Sequence, residues 1–158
     1  MVTLHKAEES DCPRLHKILV KAFVPLLKTY RDYGSSPASE SVDDVIRRFR
    51  QPYTSYYFIC LDGVEVGALR VCDFGEACRL SPIGILPEYH GQGIAQQAIA
   101  CMEALYPKAK RWTLDTVLQE EKLCYLYEKL GYRRTGQYEH LKEGMDLVFY
   151  EKEVNRDA

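Results

Sequence analysis

No apolar run in this chain approaches the roughly 20 residues needed to cross a bilayer, and the opening segment MVTLHKAEESD lacks the apolar stretch of a secretory leader. The six cysteines, at 12, 60, 72, 78, 101 and 124, form no CxxC pair, and no Cys/His group has zinc spacing. No basic cluster stands out either. Lys and Arg number 21 against 23 Asp and Glu, for a net charge of −2. That balance argues against nucleic acid or an anionic membrane as a partner. There is no internal repeat and no low-complexity tract. These absences predict a cytoplasmic protein with reduced thiols, no disulfide and no metal, its cysteines serving mainly as small hydrophobes in the core.

What is present suits one domain covering residues 1–158, in which a 46% share of hydrophobic residues is enough for a core. The pattern predicts a strand at Thr3–Ala7, then a helix that starts at Ser10 or Asp11 with Pro13 in its first turn. Leu15, Ile18, Leu19, Ala22 and Phe23 recur at helical spacing. Pro25 is expected to interrupt that helix, leaving Leu26, Leu27 and Tyr30 on a second one. A short helix follows at Ser41–Arg50. Strands at Tyr56–Leu61 and Glu65–Cys72 flank the hairpin turn Asp62-Gly63. Next come a strand at Arg79–Leu86, a helix at Ile94–Tyr106, a strand at Arg111–Val117, a helix at Glu120–Leu130 ended by Gly131, and a strand pair at Tyr132–Glu139 and Met145–Glu151. The order predicts an α/β (α+β) fold, a mixed sheet with helices on both faces.

The most informative stretch is Ile85-Leu-Pro-Glu-Tyr-His-Gly-Gln-Gly-Ile-Ala95. A strand ends, two glycines turn the chain and an apolar helix begins. Glycine permits positive φ and close approach of a ligand to the backbone. The N–H groups at such a helix start, with the helix dipole behind them, suit a pyrophosphate. An ordinary strand-to-helix turn has the same spacing. The loop has neither the GKS/T of a P-loop nor the third glycine of a dinucleotide fingerprint, which disfavours nucleotide hydrolysis and hydride transfer. The strand before it carries Pro82 and Gly84, which mark a bulge or an edge. Further on, residues 120, 123, 124 and 127 of Glu120-Glu-Lys-Leu-Cys-Tyr-Leu-Tyr127 share one helical face. Tyr127 is either an acid aimed off that face or one core aromatic among twelve tyrosines.

Two of these stretches together resemble the GNAT acetyltransferase superfamily. PEYHGQGIA resembles its acetyl-CoA loop, Q/R-x-x-G-x-G/A, with His90 in the first place, Gly93 in the centre and Ala95 last. The segment ending LYEKLGY resembles N-x-x-A-x-x-L-Y-x-x-x-G-F/Y, with Glu120 standing for Asn and Leu123 for Ala. The resemblance spans roughly residues 56–151 and implies a mostly antiparallel sheet with a splayed central strand pair. It implies that amides of Gly91, Gln92, Gly93, Ile94 and Ala95 hold the CoA pyrophosphate, with His90 as a further hydrogen-bond donor. Ile83, Gly84 and Ile85 would line the pantetheine arm, with Glu120 and Cys124 beside it, and an N–H near Ile85 would stabilise an oxyanion. Tyr127 would protonate the departing thiolate.

The activity implied is direct transfer of an acetyl group from acetyl-CoA to a primary amine of a small molecule or peptide, in a ternary complex. The alternative is a non-catalytic acyl-CoA-binding regulatory module on the same fold. A purely structural dimerisation domain has no positive feature here, although a homodimer is compatible with a chain of this size. The sequence leaves the general base among Asp73, Glu76, Asp115 and Glu120. Cys78 and Cys124 carry no nucleophile motif. Phe23, Tyr30, Arg31, Tyr33, Arg47 and Tyr53 are the candidates for the acceptor side.

Overall fold

The computed structural model describes residues 1–154. It contains a seven-stranded sheet in the order β1-β2-β3-β4-β5-β7-β6. The strands are β1 (Val2–Lys6), β2 (Thr54–Leu61), β3 (Val64–Asp73), β4 (Ala77–Ile85), β5 (Arg111–Val117), β6 (Arg133–Lys142) and β7 (Met145–Glu153). The helices are α1 (Cys12–Tyr30), α2 (Val42–Phe49), α3 (Ile94–Leu105) and α4 (Glu121–Lys129). Every neighbouring pair of strands is antiparallel except β4 and β5, which run parallel with α3 as their crossover.

Period-2 alternation in the strands builds two cores, one on each face of the sheet. Tyr56, Phe58, Cys60 and Ala68 pack under Leu15, Ile18 and Leu19 of α1 and Val45 of α2. Tyr57, Ile59, Leu69, Leu80, Trp112 and Leu114 face α3 and α4 on the other side. The β2–β3 turn takes positive φ at both Asp62 (49°) and Gly63 (86°), as a tight right-twisting hairpin requires. Helix α2 opens with a reciprocal cap: Ser41 Oγ accepts from the Asp44 N–H at 3.1 Å and Asp44 Oδ2 accepts from the Ser41 N–H at 2.9 Å.

One expectation is corrected. Helix α1 does not stop at Pro25 but runs through it to Tyr30. The proline still removes one helix hydrogen bond. Contacts on both sides of it outweigh that loss: Ala22 and Phe23 lie against Gly84 of β4, and Tyr30 is tied to Glu120. The helix then ends on Arg31, whose φ of 54° is left-handed. Pro82 sits in no edge strand. It forms a bulge inside β4, where Ser81 and Pro82 together stand opposite Arg70 of β3. Arg70 Nε donates to the Ser81 carbonyl at 2.5 Å, so the bulged backbone keeps a partner.

Candidate active site

The site forms where the central parallel ladder fails. Strands β4 and β5 pair only at Ala77 with Arg111, Cys78 with Trp112 and Arg79 with Thr113, then diverge. On its other edge β4 stays paired with β3 to Ile85, and the Leu86 N–H donates to the Val66 carbonyl at 2.8 Å. In an antiparallel ladder successive residues present their polar groups to opposite edges. Leu86 and Gly84 therefore face β3, and the main-chain groups of Ile83 and Ile85 face the gap. Gly84 has a second reason to lack a side chain. A Cβ there would lie 2.8 Å from Ala22 Cβ and 2.8 Å from Phe23 Cε2, so α1 rests directly on the strand. At the closed end of the gap the Arg79 guanidinium donates to Asp115 Oδ2 at 2.5 Å.

Beyond Ile85 the chain makes a short 3-10 turn, Pro87–Tyr89, and reaches the two glycines. Gly91 and Gly93 take φ of 77° and 73°, the left-handed region that a side chain would strain. The first N–H of this segment to find a main-chain acceptor within α3 belongs to Gln97, which donates to Gly93 O at 3.2 Å. Among the described residues nothing accepts from the N–H groups of residues 91–96. A Cβ on Gly91 would meet nothing within 4 Å, so the loop is open to solvent. Free donors on a glycine turn, at the positive end of a twelve-residue helix, can receive a diphosphate. His90 is exposed, with Nε2 2.8 Å from the Ile85 carbonyl. Donation to that carbonyl requires the proton on Nε2 and ties the loop to the gap-facing edge of β4.

Helix α4 supplies the opposite wall. Tyr127 is 4% exposed and packs edge-on against Tyr132 and tilted against Tyr150, each with ring centroids 6.1 Å apart. No hydrogen-bond partner for its hydroxyl is found among the described residues. Burial, with the Asp115 and Cys124 charges adding to it, pushes the phenol well above the ordinary tyrosine range. The side chain is therefore core in its ring and a neutral, uncommitted donor at its tip. Cys124 is buried, with Sγ 3.8 Å from Val117 O, which marks it as a packed thiol. Glu120 lies just before α4 and its Oε2 accepts from the Tyr30 hydroxyl at 2.6 Å. Burial first and Glu120 second push Tyr30 up to about 12.

The remaining candidates separate clearly. Asp73 and Glu76 belong to the β3–β4 turn, at the end of β4 remote from the loop. There Asp73 accepts from the Gly75 N–H and Glu76 pairs with Lys110, so neither borders the gap. Asp115 and Glu120 do border it. Tyr53 packs at a tilt against Phe74, ring centroids 5.0 Å apart, beside that same remote turn, which removes it from the acceptor side. Tyr33 and Arg47 instead share a polar hollow of about 400 Å³ with Ser35, Ser36, Ser39 and Arg48. Pairings such as Tyr30 with Glu120 and Arg79 with Asp115 had no signal in the sequence, because each joins elements far apart in the chain.

Comparison with known proteins agrees with this architecture. The acetyltransferase (GNAT) domain family matches residues 52–134. The protein YrkN of Bacillus subtilis (strain 168) is 32% identical over 135 residues, covering 83% of this chain and 72% of that one. The uncharacterised N-acetyltransferase YjgM of Escherichia coli (strain K12) is 27% identical over 107 residues, 64% of each chain. Among solved structures, yncA of Salmonella typhimurium with its cofactor acetyl-CoA superposes with a TM-score of 0.74 at 16% identity, covering 99% of this chain and 96% of that one. The chain belongs to the GNAT acetyltransferase family: it is an N-acetyltransferase, and acetyl-CoA is its co-substrate.

Proposed function

We propose that the enzyme moves the acetyl group directly to a primary amine of a small molecule or peptide, both substrates being bound at once. The observation that carries this reading is the run of free main-chain donors at 91–96 beside an unpaired strand edge and an uncommitted tyrosine. The N–H groups of Gly91, Gln92, Gly93, Ile94 and Ala95 hold the diphosphate, and His90 anchors the loop to Ile85. Ile83 and Ile85, with Gly84 between them, offer a strand edge along which the pantetheine arm lies, with Cys124 and Glu120 on the α4 side.

Bound acetyl-CoA supplies an activated acyl carbon. The Ile85 N–H stabilises negative charge on its oxygen. The acceptor ammonium must lose a proton before it attacks, and Glu120 and Asp115 are the carboxylates bordering the gap. The new C–N bond forms as the C–S bond breaks; Tyr127 gives its proton to the leaving sulfur, and the surplus proton on the new amide nitrogen restores the phenol. The buried phenol suits that role because it stays protonated at neutral and mildly alkaline pH. All six cysteines are free, which suits a reducing cytoplasm.

Replacing Tyr127 with Phe tests the assignment. With acetyl-CoA and a panel of amines, turnover should fall by about 100-fold or more while CoA affinity holds. Unchanged turnover would remove Tyr127 as the acid. Binding without turnover in the wild type across a broad panel would contradict transfer to a primary amine.

A further inference from the structure

We propose that the hydrogen bond between Tyr30 and Glu120 is a strap across the mouth of the β4–β5 gap, which opens to admit the pantetheine arm and recloses over it. The inference rests on reading the gap as the channel for that arm.

The two residues belong to opposite sides of the sheet. Helix α1 packs on the Tyr56 and Phe58 face and α4 on the Tyr57 and Leu69 face. A continuous sheet would keep them apart, yet oxygen meets oxygen at 2.6 Å. The contact is made where the sheet is interrupted. Helix α1 lies over Gly84 near the end of β4, and Glu120 follows directly on β5, its N–H bonded to the Val117 carbonyl at 3.0 Å. A bond from one to the other crosses the open end of the gap. An arm running from the diphosphate loop along the edge of β4 has to pass it.

On this proposal the strap opens by a shift of the end of α1. Pro25 lacks the N–H that would bond the Lys21 carbonyl, which removes one tie from the helix about a turn before Tyr30. Arg31 ends the helix in a left-handed conformation, at φ 54°. Just beyond it Asp32 Oδ1 is buried with no hydrogen-bond partner, so the polar groups here are not all satisfied in the closed arrangement. The strap bond itself joins a phenol to a carboxylate, a strong type that holds the closed state without locking it.

The test compares wild type with Tyr30→Phe, using surface plasmon resonance on immobilised protein with two probes: CoA, and 3′-phospho-ADP, which has the diphosphate but no pantetheine. For CoA, both association and dissociation should quicken by about tenfold, the scale of one lost hydrogen bond to a charged group. The rates for 3′-phospho-ADP should not change. CoA rates unaltered in the variant would overturn the strap. So would equal changes for both probes, which would place the effect on the loop or the fold. Failure of wild type to bind either probe would overturn the channel reading itself, and the strap with it. Hydrogen exchange on the wild type gives a check that needs no variant. Amides of residues 26–31 should exchange more slowly when CoA saturates the protein, and unchanged exchange would contradict reclosure.

Discussion

Helices α2 and α3 begin in opposite ways. At the start of α2, Ser41 and Asp44 cap each other, so the Asp44 N–H is met from within the chain. At the start of α3, Gly93 offers no side chain, its φ is left-handed, and the N–H groups of residues 91–96 have no partner among the described residues. Leaving such donors unmet costs stability unless water or a ligand takes them. Helix α4 also opens without a side-chain cap, so on the proposed reading it is the glycine turn together with the free N–H groups that fits the start of α3 to an anion.

The contrast can be broken most strongly at Gly93. Gly93→Val forces a β-branched residue into φ of 73° and turns the donors away from a common point. CoA affinity should fall by at least about tenfold in calorimetry, a loss on the scale of that backbone strain. The opposite substitution, Ser41→Ala, should cost about 1 kcal/mol of stability in urea unfolding through the lost cap, and leave CoA affinity untouched. If Ser41→Ala weakened CoA as much as Gly93→Val, the distinction between the two helix starts would fail. The smallest expected effect is with inorganic pyrophosphate at millimolar concentration. It should raise the melting temperature of wild type slightly and compete with CoA, and Gly93→Val should lose both responses.

Much of this was readable from the residues. The hairpin turn, the glycine loop and the strand and helix order depend on local rules of backbone conformation and periodicity, and those rules act over a few residues, whereas Tyr127 was singled out by its match to a family motif. Pro82 and Gly84 signalled a bulge or an edge in β4, because both disfavour a regular ladder, while the splay from β5 was implied by the family resemblance. The bulge at Pro82 and the close approach at Gly84 give those two signals their physical meaning. Pro25 misled, since its intrinsic preference was outweighed by packing of α1 on β4 and by the Tyr30 contact. The pairing of Glu120 with Tyr30 spans 90 residues and could only emerge from the fold. The same holds for His90. Its loop position was visible, but its bond to Ile85 depends on how the 3-10 turn folds the ring back.

The most direct measurement is an amide-resolved NMR titration of the protein with CoA. If the bare start of α3 grips the diphosphate, the N–H resonances of residues 91–96 shift most and saturate with the same affinity as calorimetry, and those of residues 42–45 stay in place. Saturable CoA binding that leaves residues 91–96 unmoved would contradict the account.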